Sequence, residues 1–289
     1  MFAAILVLAS PMFQAGQEAG NPPPPGQDLP APVEDSWDLE LLPSKIIYAP
    51  YLADPRQSHT STKVQVPVDP DRGNLKIESV LGSTRPLALW TNPNDPLEEA
   101  ELFLEAAVFS RFDLSEDWDM DGSDYRFGFP FAYRYGDVAM KFHLWHLTSH
   151  LGDEYMTRNP EAKRASYHND EVCVGLSWQI DPYWRAYGEL GYGLYTGTAA
   201  EKGRAQFGIE WVGEAWTGKT TPWAAADIST RKEIDWGWNL SLQAGIMFRS
   251  GSGNGGLRFL VEYYRGHDQQ TQFKAEKEHY FAFGAATNF

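Results

Sequence analysis

From about Thr60 to the end of the chain, apolar and polar residues alternate with a period of two, in runs of about ten residues separated by turn residues. A period of two sends successive side chains to opposite faces of a strand. The run Tyr125–Tyr135 shows it most clearly. Its odd positions are all Tyr or Phe, whereas its even positions are Arg126, Gly128, Pro130, Ala132 and Arg134. An unbroken aromatic face opposite a face of arginines and small residues suits a strand with lipid on one side and a polar lumen on the other. In a soluble sandwich the aromatic face would instead be covered by a second sheet. Twelve such runs begin near 60, 76, 98, 123, 137, 168, 183, 203, 222, 237, 256 and 278, and Pro67 and Pro86 blur the limits of the first two. The pattern predicts an all-β chain: a single antiparallel transmembrane β-barrel of about twelve strands over 59–289.

The connections separate the two readings. In an outer-membrane barrel with both termini periplasmic, the links after even-numbered strands are short and those after odd-numbered strands are long. Gly136-Asp137, Asp181-Pro182 and Gly251–Asn254 are compact turns at the even links. The odd links include 114–122, 151–167 and 267–277, which are longer and strongly polar. The last strand places Phe281, Phe283, Ala285, Thr287 and Phe289 on one face. This resembles the terminal signal by which bacterial barrels are handed to their assembly machinery, with Thr287 standing where an aromatic is common.

Composition narrows the classes further. Beyond the first dozen residues no stretch reaches the roughly 20 apolar residues of a membrane-spanning helix, a requirement that barrel strands escape. The formal net charge of -15 argues against nucleic-acid binding, which needs a Lys/Arg surface. A single cysteine, Cys173, excludes an internal disulfide and a multi-cysteine zinc site, and its inward position reads as a small packed residue. The glycine-rich Gly251–Gly256 precedes no helix, so it is not read as a phosphate loop. No cofactor and no metal are expected.

The N-terminal region reads differently. Phe2–Ala9 forms an apolar core followed by Ala15, Gly16 and Ala19, as in a secretory signal over 1–20. No Lys or Arg precedes Lys45, which leaves a late start or a mature-chain helix open. Pro22–Pro25, Pro30 and Pro32 make 21–58 a Pro-rich linker and periplasmic segment, expected to be extended and disordered.

The inward positions of the predicted strands carry Glu101, Glu105, Glu171, Glu189, Glu210, Asp227 and Glu262 against Arg111, Arg126, Arg134, Lys141, Arg185, Arg204 and Arg258. Opposite charges in a narrow interior should pair, so a filled or constricted lumen is expected. The acidic excess is then placed outside the lumen, in Glu116, Asp117, Asp119, Asp121 and Asp124. That cluster reads as a solvated loop or, alternatively, as oxygen ligands for a divalent cation.

The segment His143–Tyr155 carries the most suggestive chemistry. Extending the face of Met140, Phe142 and Leu144 sets His146, Thr148 and His150 on the lipid side at the outer rim. Reading the next strand back from Val174 and Val172 brings Asp170, His168 and Ser166 to the same rim and face. A hydroxyl, a histidine and a carboxylate on adjacent strands are the parts of a nucleophile, base and orienter. Ser149 is turned to the other face unless a bulge intervenes. The bland alternative is a hydrogen-bonded rim that fixes the long loop.

His146–Glu154, together with Leu52–Arg56, Tyr183–Gly188 and Glu262–Tyr264, resembles the bacterial domain-of-unknown-function 1207 family over about 42–289. The resemblance implies the barrel and carries no activity. A narrower similarity is to outer-membrane phospholipases and lipid A deacylases, which carry a His-x-Ser pair on a strand's lipid face, oriented by an acid or amide on a neighbouring strand. Here Thr148 stands in place of the serine. Three functions follow as expectations: a structural or binding barrel contacting outer-membrane lipids, a lipid hydrolase at the histidine rim, or a narrow channel lined by Arg126, Arg134, Glu189 and Glu262.

Overall fold

The computed structural model describes residues 37–69, 73–216, 218–249 and 256–288. The proposed signal segment and the proline-rich part of the linker, 21–36, lie outside the described residues. Twelve strands form the wall: β2 (Thr60–Pro67), β3 (Lys76–Asn92), β4 (Asp95–Asp113), β5 (Asp119–Tyr135), β6 (Val138–Leu151), β7 (Tyr167–Gln179), β8 (Trp184–Thr196), β9 (Arg204–Val212), β10 (Thr220–Arg231), β11 (Trp238–Arg249), β12 (Gly256–His267) and β13 (Lys277–Asn288). Each pairs antiparallel with its sequence neighbours, and β2 pairs with β13, so the sheet is a closed barrel. A short additional strand, β1 (Asp38–Leu41), lies antiparallel on β3 at Ala88–Thr91. Closure leaves no free edge strand in the ring, apart from the part of β3 between the β2 ladder, which ends at Val80, and that of β1, which begins at Ala88.

Side-chain alternation sorts the two faces as the period predicts. Phe127, Phe129, Phe131, Phe259, Phe281 and Phe283 are exposed on the outer wall, Phe129 by 52% and Phe283 by 55%. Such exposure excludes a sandwich, in which these rings would be covered. The inner positions of the same strands are buried: Glu101, Phe103, Glu105 and Phe109 on β4, and Arg258, Leu260, Glu262 and Tyr264 on β12. One end of the barrel carries short turns, including Gly136, whose φ of 58° lies in the left-handed region that favours glycine. The other carries the longer links, among them 152–166 with α1 (Asp153–Arg158) and 268–276 with a 3₁₀ turn at Thr271–Phe273.

Residues 45–59, grouped above with the linker, lie inside the barrel. They have no periodicity of their own because wall side chains satisfy their backbone. The Ile47 amide donates to Glu101 (2.7 Å) and the Leu52 amide to Glu210 (2.7 Å). Arg185 donates to the carbonyls of Ala49 and Pro50 (2.8 Å each), and Arg258 to that of Leu52 (3.2 Å). The Tyr51 ring stacks on Tyr187 with centroids 3.8 Å apart and planes 8° from parallel. Ile47, Tyr48 and Tyr51 pack with Leu89, Phe103 and Ala132 as an apolar core at this level.

The link 268–276 folds in from the opposite end. Asp268 pairs with Arg111, Gln270 donates to the Phe109 carbonyl (3.1 Å), and Thr271 donates to Asp124 (2.7 Å). Asp124 also accepts from Arg56 of the inner segment (2.7 Å), so one carboxylate ties the two fillers together. This corrects the placement of the acidic cluster. Asp121 and Asp124 are buried within the barrel: Asp124 shares the inward parity of Arg126, and Asp121 is turned in beside Arg111 (3.2 Å) at the register shift between β4 and β5.

The Arg185–Glu210 pair supports a stability test. Glu210→Ala would strand a buried guanidinium and the Leu52 amide, at a cost of about 3–5 kcal/mol. The folded, heat-modifiable gel form should then be lost at lower denaturant than in the wild type, whereas Glu210→Gln should retain most of the resistance.

Candidate functional site

Two groups of polar side chains compete as sites: the interior charges and the rim on the outer wall. Inside, each cation reaches carboxylates or carbonyls. Arg126 pairs with Glu105 (2.7 Å), Lys141 with Glu189 (2.6 Å), Arg185 with Glu210 (2.7 Å) and Arg204 with Glu171 (2.9 Å). Arg134 pairs with Glu99, and Arg111 with Asp268, Asp121 and Glu278. Glu262 is held by Lys63 (2.9 Å), and Asp227 accepts from Tyr187 (2.6 Å) and Gln206 (2.8 Å). Lys63, Glu78, Glu99, Asp268 and Glu278 were missed among the interior charges. The first two lie on the strands whose limits the prolines blur, and Asp268 belongs to a link expected to face solvent.

Between the inner segment and the folded-in link remains a cavity of 80 Å³, lined by Arg126, Lys141, His143, Glu171, Glu189 and Arg204 among others. That is space for a few water molecules. Beside it Cys173 is buried, in contact with Trp145, Glu171 and Arg204. In the link above, burial and the neighbouring Asp268 push the Glu276 carboxyl above the usual range, against the pull of Arg111 and Lys76.

The rim is built by register. On the outer face His146 pairs across β6 and β7 with Asp170, and Thr148 with His168. The same residues face Phe127 and Tyr125 on β5. His146 Nδ1 hydrogen-bonds Asp170 Oδ1. With Nδ1–H as donor, Nε2 is the ring's acceptor. Both side chains remain open to the outside, His146 by 32% and Asp170 by 38%, so the pair is not sealed beneath the 152–166 link. The His146 ring lies 5.5 Å from that of Phe127, His150 stands edge-on to Tyr125 (5.8 Å), and His168 lies against Tyr195 (5.0 Å).

Ser149 is on the other face, 3% exposed and opposite Asp124 and Tyr167. The strand runs through it without a bulge on either side. The rim therefore brings together His146, Thr148, His168 and Asp170, with His150 one step closer to the loop end, and leaves Ser149 inside. Among the described residues no group of three His, Cys, Asp or Glu side chains comes together to hold a metal ion.

The closed twelve-stranded ring, the exposed aromatic wall and the charge-filled interior define a barrel of the outer-membrane type. The family model described as a protein of unknown function, DUF1207, matches residues 29–289, and the chain belongs to that family. Among solved structures, outer membrane phospholipase A from Escherichia coli aligns with a TM-score of 0.51 at 12% identity, over 81% of this chain and 93% of that one. The calcium-bound dimer of the Salmonella typhi outer membrane phospholipase aligns with a TM-score of 0.51 at 11% identity, over 83% and 94%. At these identities the likeness is one of fold. No protein of curated function aligns significantly with the chain.

The two faces make different forecasts for a histidine reagent. Diethylpyrocarbonate on the folded protein in detergent should modify the exposed His150 and His279 first and His146 partially, and should spare His59 and His143, both buried. Peptide mapping that found His143 modified as fast as His150 would contradict the facing described here.

Proposed function

We propose that the chain is a structural or binding protein of the bacterial outer membrane whose lumen is closed by its own polypeptide. The observation that carries this is the inner segment 45–59, held by Glu101, Arg185, Glu210 and Arg258 across the lumen. A diffusion pore needs a continuous wet path, and here the path is interrupted by Tyr51 stacked on Tyr187 and by Thr271 bonded to Asp124. The exposed aromatic wall supports the membrane placement, since lipid is the solvent such a wall matches. The long links then face outward, and the terminal strand serves the assembly machinery. In planar bilayers the purified protein should be silent across salts and voltages. Discrete conductance steps from the wild-type chain would overturn the closed-lumen reading.

The hydrogen bond between His146 and Asp170 favours a second reading, hydrolysis of a lipid ester at the rim. Thr148 Oγ1 would attack the ester carbonyl while His146 Nε2 takes its proton and passes it to the departing alcohol. Water, deprotonated by the same nitrogen, would then cleave the acyl-threonine and restore the hydroxyl. Asp170 holds the imidazole tautomer. In mixed micelles, fatty acid release from phospholipid should fall about 10²–10⁴-fold in His146→Ala, as expected for loss of a general base. Equal release by that variant and the wild type would end this reading.

A further inference from the structure

The 80 Å³ cavity inside the barrel is bordered by five Lys and Arg side chains. Arg56, Arg126 and Arg204 keep 13% to 17% of their side-chain surface accessible, whereas their partners Asp124, Glu105 and Glu171 keep 1% to 7%. Lys141 and Arg231 repeat the asymmetry against Glu189 and Glu233. Each pair thus turns its cation toward the space and its carboxylate toward the wall. The chain as a whole carries a formal net charge of -15, so composition does not produce this. Two lining carboxylates stand apart from these pairs. Asp54 accepts from the Arg56 amide (2.8 Å), and Glu201 pairs with Lys232 (3.3 Å) in the outer links.

Shared rings hold three of the guanidinium groups in one row. Arg56 and Arg126 both lie over the Phe109 ring, at 4.0 and 5.4 Å from its centroid. Arg126 and Arg204 both lie beside the inward Trp145, at 5.7 and 6.0 Å. Arg56 and Arg126 each meet their carboxylate through one nitrogen, Nη2, at 2.7 Å in both cases. A guanidinium carries several further N–H donors, so both can serve another acceptor. Arg204 commits its nitrogens to Glu171 (2.9 Å), Gln206 (2.9 Å) and Glu189, and adds charge alone. Like charges gathered in an interior of low dielectric favour an anion between them.

We propose that this cavity is a binding site for a small tetrahedral oxyanion of the phosphate class. The site deepens the binding reading given above and rests on the closed lumen, because the inner segment supplies Arg56 and the floor. Size and shape select the ligand. About five atoms the size of a water fill such a space, as many as the non-hydrogen atoms of phosphate. The oxygens of phosphate point in four directions, and the cations here also converge from several. Arg126 and Lys141 come from β5 and β6, Arg204 and Arg231 from β9 and β10, and Arg56 from the inner segment. Forked N–H pairs match such oxygens two at a time. With the floor closed, the way in lies at the outer end, beneath the link that Lys274 ties to Glu233 (2.9 Å) and to the Ala199 carbonyl.

The test is isothermal titration of the full chain, folded in detergent, with inorganic phosphate in a chloride buffer of fixed ionic strength. One phosphate should bind per chain, and acetate should not displace it. Arg126→Lys, which keeps the charge opposite Glu105 and loses the fork, should bind at least about tenfold more weakly, the effect of losing one charge-assisted hydrogen bond. Arg56→Lys should do the same. Arg134→Lys, whose partner Glu99 lies outside the cavity lining, should bind as the wild type does. All three variants should keep the heat-modifiable form. Wild-type protein that gives no binding heat with phosphate and gains no denaturant resistance from it would overturn the site alone. Equal binding by the wild type, Arg126→Lys and Arg56→Lys would also overturn it, by placing the phosphate elsewhere. Acetate bound as tightly as phosphate would overturn the oxyanion class. Conductance steps from the wild-type chain would overturn the closed lumen and the site together.

Discussion

Charge compensation inside a narrow barrel is the constraint on which the rest of this structure depends. Arg185, Glu210, Glu101 and Arg258 point inward because strand parity sends them there, and a buried ion without partners costs several kcal/mol. Some pair with each other, but guanidinium groups offer more donors than one carboxylate accepts. The inner segment supplies the remainder: amides at Ile47 and Leu52 for the glutamates, carbonyls at Ala49, Pro50 and Leu52 for the arginines. The wall and its filling are thus one hydrogen-bonded system. Asp124 extends it to the opposite end by accepting from both Arg56 and Thr271.

The strands were legible in the sequence because lipid on one side and polar filling on the other impose a strict period of two. All twelve predicted starts fall close to a wall strand, including those of β2 and β3, where prolines weaken the pattern. The same parity rule put His146 and Asp170 on one face at one rim, where the register pairs them, and set Ser149 inward. The inner segment was not legible. Many of its contacts run through backbone groups, which leave no trace in the order of side chains, and those of Tyr51 and Arg56 follow no strand or helix period. Asp121 and Asp124 were misplaced for a related reason, since a run of acids resembles a solvated loop until register shows that β5 begins at Asp119.

The two faces divide the labour of the molecule. The interior is crossed by ion pairs that hold a shape. The outer face has fewer polar groups, and those near the loop end are gathered on β6 and β7 by register rather than by a binding loop. A site built on two adjacent strands keeps its geometry as firmly as the ladder does. That firmness explains how a partly open pair such as His146 and Asp170 can stay in contact on the outer wall.

The inner segment immediately precedes β2, the strand that meets β13 to close the ring. Its position has a consequence for the order of assembly. A chain held by wall residues from β4 to β12 cannot be threaded into a finished cylinder as cheaply as it can be laid in an open one. Closure at β2 joins residues more than two hundred positions apart, the slowest kind of contact to form. The polypeptide that fills the barrel is therefore tethered to the last seam to zip, and packing the lumen and shutting the wall become a single event.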